Sequence, residues 1–205
     1  MNVLSVQEIE ALRVLVLENA RDLLGESELL FQHKKFARAY SLAHLSSEEL
    51  AKLLALASTG VILVNGGTIN WKKLDEKLRS HTAKLKGLLF VDFLGKAVNP
   101  TTRDIEVHQE KLSQLELLNE LKNASLYAGV YQGDLYKPSA VITEECASSM
   151  LVTARNRLQL YSEIEAITHG RIVELAKHPT YMKALMSAQR EMSRKTSTLQ
   201  SSTRL

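Results

Sequence analysis

The sequence predicts an all-α protein: an antiparallel bundle of four to five long helices with additional C-terminal helices. Apolar residues recur at helical spacing over long stretches. Only 3 prolines and 9 glycines occur in 205 residues, and they fall between the periodic stretches. Serine or threonine caps precede several of these stretches. At 45% hydrophobic residues, the chain is long enough to bury one sizeable core.

Caps and periodicity predict the first two helices. Ser5 and Glu8 form a capping-box pattern, and apolar residues follow at helical spacing as far as Gly25, where the first helix is predicted to end. The second helix is predicted from about Ser27 to Ser58. Small or apolar residues surround most of its circumference, which is typical of the central helix of a bundle.

Polar side chains nevertheless occupy the middle turns of this second helix, namely those of His44, Glu48, Glu49 and Lys52. A buried charge is costly unless it is paired. Lys52 can pair with Glu48, four residues earlier on the same face. The pattern therefore predicts either a polar site or a structural ion pair at the centre of the bundle.

A third helix is predicted over residues 71–94, with His81 pointing inward from its apolar stripe. A lone histidine on such a stripe is more often a packed core residue than a functional one. Lys84 lies one turn later on the same side, and packing alone explains an amine beside an inward imidazole poorly. His81 then needs a partner, for which Glu48 or Glu49 is the best available. The stripe consists of Trp71, Leu74, Leu78, His81, Leu85 and Leu88.

The C-terminal half is predicted to contain two more long helices. A fourth helix, capped by Thr101 or Thr102, continues to about Tyr127. An irregular loop over residues 128–141 follows, and Thr143 caps a fifth helix that runs to about residue 169. Beyond it the pattern weakens. We predict a bundle domain at residues 1–170, a C-terminal helical extension at residues 171–194 and a mobile tail at residues 195–205.

Composition indicates where the protein is expected to reside and which kinds of site it can contain. Cys146 is the only cysteine, which excludes an internal disulfide and a multi-cysteine zinc site and favours a reducing cytoplasm. No apolar run approaches the ~20 residues of a membrane span, so a cytoplasmic protein without membrane contact is expected. The formal charge of +3 permits contact with nucleic acid but does not argue for it. No cofactor or metal is predicted.

Five segments form an ordered set along the chain: Asn19-Ala20-x-x-Leu23-Leu24, Ala37 to Ala43, Glu48-Glu49-Leu50-Ala51-Lys52, Trp71 to Lys84 with His81-x-x-Lys84, and Leu115 to Tyr127 with Leu118-Asn119 and Lys122-Asn123-x-x-x-Tyr127. In order and spacing this set resembles the signature of the AbiV abortive-infection family, which belongs to the HEPN superfamily of small helical proteins. The resemblance covers roughly residues 8–165. It implies that the bundle is HEPN-like and that the protein is a phage-defence toxin acting on RNA or on the translation machinery.

The resemblance also implies a site and a chemistry. Cleavage of RNA at a 2′-hydroxyl needs a base, an acid and a cation for the developing phosphorane charge. Histidine serves either proton role near neutral pH, and lysine or arginine serves the charge role. The implied catalytic residues are His81, Lys84, Lys122 and Tyr127, with Glu48 and Glu49 orienting the cations. The same motifs supply Lys52, Asn123 and Asn19 as secondary candidates.

An arginine followed by a histidine, with four to six residues between them, is characteristic of the ribonucleases of this superfamily. Three pairs fit that loose spacing, and chance alone produces some of them in a chain of this composition. We favour the second, because its arginine precedes an aspartate in the first turns of a helix and its histidine faces inward. The pairs are Arg38/His44, Arg103/His108 and Arg171/His178.

Three interpretations remain open at this point. In the first, the protein is a toxin and a metal-independent endoribonuclease, acting as a homodimer and triggered by a phage-encoded activator protein. In the second, it is a helical binding module that blocks translation, or binds a phage protein or RNA, without cleavage. In the third, its buried polar residues only fix helix packing. Near the end of the fourth helix, where similar sequences place a basic residue and a tyrosine, this chain has Lys122, Asn123 and Tyr127 without a histidine directly after them, so cleavage and non-cleaving binding both stay open.

Overall fold

The computed structural model describes residues 3–94, 102–131 and 133–177. Within these ranges the chain is almost entirely helical, and the predicted all-α class is confirmed. Three helices of 25 to 29 residues form the frame, and shorter helices pack around them. The elements are α1 (Val6–Gln32), α2 (Phe36–Val64), α3 (Trp71–Arg79), α4 (His81–Leu94), α5 (Thr102–Ser113), α6 (Leu115–Leu126), β1 (Gly129–Tyr131), β2 (Asp134–Tyr136), α7 (Pro138–Val141), α8 (Glu144–Thr168) and α9 (Ile172–Ala176).

Helix α2 is the centre of the bundle, as predicted. Eighteen of its 29 residues are buried, and it packs against α1, α4, α6, α8 and α9. The main core cluster places Leu50, Leu53 and Leu56 of α2 against Ile9 of α1 and Leu88 of α4. The small residues of α2 allow this close approach from several sides at once.

The predicted boundary between the first two helices is wrong. The capping box is present, with Ser5 Oγ accepting from the Glu8 amide at 3.2 Å. However, α1 runs through Gly25 to Gln32, and the turn falls at Lys34, which has a φ of +57°. An isolated helical glycine costs only ~1 kcal/mol, less than one buried side chain contributes. Ser27, predicted to start the second helix, lies inside α1 and donates to the Ala39 carbonyl of α2 at 2.6 Å.

The end of α2 also differs from the prediction. It continues past Ser58 and through Gly60 to Val64. Gly60 is where α9 comes closest, because a Cβ atom there would lie 2.7 Å from Ile172 Cδ1. The glycine therefore permits a close helix contact and does not end the helix.

Two predicted helices are each broken in two. The third is interrupted at Ser80, whose Oγ accepts from the Ala83 amide at 3.2 Å and so caps α4. The fourth is interrupted at Gln114, between α5 and α6. The loop predicted after it contains a short antiparallel hairpin, β1 paired with β2, with Gly133 at a φ of +93° in the turn.

The C-terminal part follows the prediction where it is described. Thr143 caps α8 by accepting from the Cys146 amide at 3.3 Å, and α8 ends at Thr168. In α9, Ile172 and Ala176 belong to the main core cluster. The division of the chain at residue 170 stays a prediction. The predictions for Thr101, His178, the helix over residues 180–194 and the tail at residues 195–205 concern residues outside the described ranges. No described helix is both long enough and apolar enough to span a bilayer.

Candidate functional site

A single carboxylate, that of Glu48, organises the polar centre of the bundle. Its side chain is 1% exposed. The His81 Nδ1 atom lies 2.8 Å from Glu48 Oε1 and 2.6 Å from Oε2. The Lys84 ammonium lies 2.7 Å from Oε2. The His44 Nε2 atom lies 3.2 Å from Oε1, an ionic contact whose geometry is not that of a hydrogen bond. We call Glu48, His44, His81, Lys84 and the nearby Lys122 the Glu48 cluster.

The break at Ser80 positions the two residues that α4 contributes. Because α4 begins at His81, this histidine occupies the first helical position, and Lys84 follows one turn later on the same side. Both side chains therefore reach Glu48 on α2. The Lys84 side chain is 9% exposed, whereas that of His81 is 46% exposed. The cluster is thus closed on the α2 side and open to solvent at His81.

The environment of Glu48 keeps it ionised. Burial raises its pKa, but the close contacts with His44 and Lys84 outweigh burial and lower the pKa from 4.5 to about 2. An ionised carboxylate accepts hydrogen bonds and donates none. His81 must therefore carry a hydrogen on Nδ1, which leaves Nε2 as the proton-accepting atom of the neutral ring.

Lys122 approaches the same carboxylate from α6. It is 5% exposed and interacts electrostatically with Glu48 and Lys84. Burial lowers the pKa of Lys122, Glu48 opposes that change, and Lys84 adds to it. Three helices thus place two lysines and two histidines around one carboxylate.

Comparison with known proteins agrees with the segments noted in the sequence. A family model described as AbiV, of the HEPN type, matches residues 8–159. The chain belongs to the AbiV family. The matched range contains all five residues of the Glu48 cluster. Neither the curated proteins nor the solved structures include a significant match.

Other residues predicted for the site of this AbiV-family protein lie beside the cluster or away from it. The predicted pairing of Lys52 with Glu48 is wrong, because Lys52 forms an ion pair with Glu49. Glu48 already accepts from His81 and Lys84, whereas the side chain of Glu49 is 16% exposed on the flank of α2. Tyr127, the residue that ends α6, is 66% exposed. Asn19 and Asn123 are also exposed.

The three arginine and histidine pairs do not share one site. In the first pair, Arg38 is exposed and donates to the Leu126 carbonyl at 2.8 Å. The histidine of this pair, His44, is buried in the cluster. Arg103 lies on α5, where its side chain is 76% exposed and pairs with Glu106 at 3.4 Å. His108 is half-buried. The third pair includes His178, which lies outside the described residues.

His44 was noted among the polar side chains of the second helix and in the Arg38/His44 pair, but it was not predicted as a site residue. It is 2% exposed, and its ring stacks on Tyr40 with 6.2 Å between centroids. Its spacing of four residues from Glu48 was a usable signal, since residues so spaced meet on one helix face. Among the described residues, no group of three histidine, cysteine, aspartate or glutamate side chains is arranged to hold a metal ion.

Proposed function

We propose that this AbiV-family protein is an abortive-infection toxin that arrests growth or translation by acting on RNA or on the translation machinery. The observation that carries the proposal is the position of His81. Its Nδ1 atom contacts the ionised Glu48 carboxylate at 2.6 Å, and its side chain is 46% exposed. A histidine fixed by a carboxylate on one ring nitrogen and open to solvent at the other is arranged for proton transfer.

RNA cleavage needs a base, an acid and a cation, and the Glu48 cluster contains groups for the base and the cation. His81 Nε2 would accept the proton of the 2′-hydroxyl, with Glu48 fixing the ring and stabilising the imidazolium that forms. Lys84 and Lys122 would stabilise the negative charge that develops on the phosphorane. Tyr127 and Glu49 remain proposed site residues without a contact to the cluster among the described residues.

A second candidate function is binding without cleavage. His44 is buried at 2% exposure, so His81 alone presents an imidazole to solvent within the Glu48 cluster. One exposed imidazole supplies a base but no separate acid for the leaving oxygen. This observation favours a module that binds RNA or a phage protein and blocks translation, unless a second chain contributes the acid.

For that reason we also propose that the protein acts as a homodimer. The small residues of α2 do not support this proposal, because Ala37, Ser41, Ala51, Ala55 and Ser58 are all buried within one chain. Support comes from the incomplete acid and base pair and from the superfamily, which commonly assembles its site across a two-fold interface.

Growth and RNA integrity in a bacterial host test the catalytic and the binding proposals together. Cells expressing the wild type, His81→Gln or Lys84→Ala would be followed with and without phage infection, which supplies any phage-encoded activator, and their RNA ends sequenced. We expect both variants to lose growth arrest. The thermal midpoint of His81→Gln should stay within a few degrees of the wild type, because the His81 side chain is half exposed, whereas Lys84→Ala breaks a buried ion pair and should melt lower. His33→Gln, at an exposed histidine that ends α1, is the matched control.

The outcomes separate the candidates. New RNA ends that depend on His81 support cleavage. Growth arrest that depends on His81 without new RNA ends supports the binding module. A His81→Gln protein that remains fully toxic contradicts both, and a His81→Gln protein that loses stability and toxicity in proportion points to a purely structural cluster.

A further inference from the structure

Lys122 is a buried residue whose ammonium group has no paired counter-charge among the described residues. The residue is 5% exposed. Within the described part of the chain, its ammonium forms no hydrogen bond and no ion pair, and it interacts with Glu48 and Lys84 only at longer range. Burial of an unpaired charge is strongly unfavourable. A fold that keeps such a group gives up stability for it, which is typical of functional sites.

The charges around Lys122 leave an excess of positive charge. Glu48 is the only acidic group of the cluster, and Lys84 already holds it at 2.7 Å. Two lysines against one glutamate leave a net charge of +1 when His44 and His81 are neutral, and more when either is protonated. The amino end of α4, a helix of 14 residues, lies at the same place and adds the positive end of its dipole. The cluster therefore lacks one anion.

We infer that Lys122 and Lys84 bind one oxyanion of the phosphate class, next to the solvent-facing edge of His81. The inference rests on the proposed function, because the oxyanion would be a phosphodiester group of the RNA on which the site acts. Lysines recognise phosphate as compact point charges, and a helix amino end adds backbone amides suited to the same oxygens. A phosphate bound there would lie within reach of His81 Nε2 and would supply the missing counter-charge for Lys122.

Thermal unfolding in sodium phosphate tests the site, with sodium chloride at equal ionic strength as the reference. A ligand at ten times its dissociation constant raises the midpoint of a protein of this size by about 3–6 °C. We expect that rise in the wild type and not in Lys122→Met. Without phosphate, Lys122→Met should melt higher than the wild type, because burial of the residue disfavours its charged form and the substitution removes that charge. Lys86→Met, at an exposed lysine of α4, is the control and should respond to phosphate as the wild type does.

A second variant at the same position controls for the case in which Lys122→Met does not fold. Lys122→Gln keeps a polar group of similar length and should also lose the phosphate response. A wild type that does not respond to phosphate overturns the inference. So does a response that survives in both Lys122 variants, because the anion then binds elsewhere.

Two further experiments identify the source of the phosphate and distinguish a failure of the anion site from a failure of the proposed function. A single-stranded oligoribonucleotide that removes the phosphate response in the wild type supports an RNA phosphodiester as the ligand. Failure to compete overturns that assignment in favour of a free phosphate compound. If the phosphate response depends on Lys122 but His81→Gln remains toxic, the proposed function fails while the anion site stands.

Discussion

Replacement of Glu48 by glutamine tests the charge balance of the cluster most directly. Glutamine has nearly the same shape, so the substitution removes the negative charge without creating a cavity. It leaves Lys84 buried without its paired counter-charge and removes the one carboxylate that interacts with Lys122 at longer range. Breaking a buried ion pair by removing one partner typically costs about 3–5 kcal/mol. The pKa of Glu48 gives a similar figure, since a change from 4.5 to about 2 corresponds to about 3 kcal/mol.

The contribution of Glu48 to the free energy of unfolding changes with pH in a defined direction. The pKa of Glu48 is lower in the folded state than its ordinary value of 4.5. Its contribution to stability is therefore fully present above about pH 4.5 and is lost as the pH falls toward about 2. We expect the difference in free energy of unfolding between the wild type and Glu48→Gln to shrink as the pH falls across that window.

Urea and thermal unfolding at neutral pH measure the effect. A loss of about 3–5 kcal/mol lowers the midpoint of a protein of this size by about 6–20 °C. The control is Glu49→Gln at the neighbouring position, where the Lys52 pair is partly exposed and contributes about 1 kcal/mol at most. The double variant Glu48→Gln/Lys84→Met should recover part of the loss. Equal effects of Glu48→Gln and Glu49→Gln would refute the buried charge network.

Three further predictions concern the rest of the molecule. Arg13→Ala should cost about 3–5 kcal/mol in urea unfolding, because Glu165 loses its buried partner at 2.8 Å, whereas Arg155→Ala, at an exposed ion pair, should cost at most about 1 kcal/mol. Gly60→Ala should destabilise by about 1–3 kcal/mol through its clash with Ile172, and the smaller Ile172→Val should relieve part of that cost. The solution mass at micromolar concentration should be twice the 22.9 kDa of one chain, and a monomer mass would contradict the proposed homodimer.

Local sequence signals predicted the long helices but not all of their ends. The caps at Ser5 and Thr143 were confirmed, because a cap is a short-range hydrogen bond that residues three apart specify. The turn between α1 and α2 was missed. It contains neither glycine nor proline, and Lys34 adopts its positive φ there. Gly25, the stop that the sequence offered, remains helical because its neighbours Leu24 and Ser27 are buried against other helices.

The break at Ser80 shows why the site was predicted only in part. Serine is tolerated inside helices as well as favoured at caps, so the apolar stripe of residues 71–94 continued across it without a signal. A continuous helix would have carried His81 inward with the stripe. The cap at Ser80 instead places His81 at the start of α4, in contact with the predicted partner Glu48 but half open to solvent. The approach of Lys122 depends on how α6 packs against α2, and no local pattern encodes that.

The described part of the chain contains two buried ionic clusters, and the comparison between them supports the Glu48 cluster as the proposed site. Arg13, 1% exposed, donates at 2.7 to 2.8 Å to Glu10, Glu165 and Thr168, so every donor it directs inward has an acceptor. That cluster joins α1 to α8 and is closed. The Glu48 cluster has one carboxylate for two lysines, and its most exposed side chain is that of His81. Since the same fold pairs the buried cation of Arg13 with two carboxylates, the unpaired charge of Lys122 is not a general consequence of helical packing, and an anion from solution is its proposed partner.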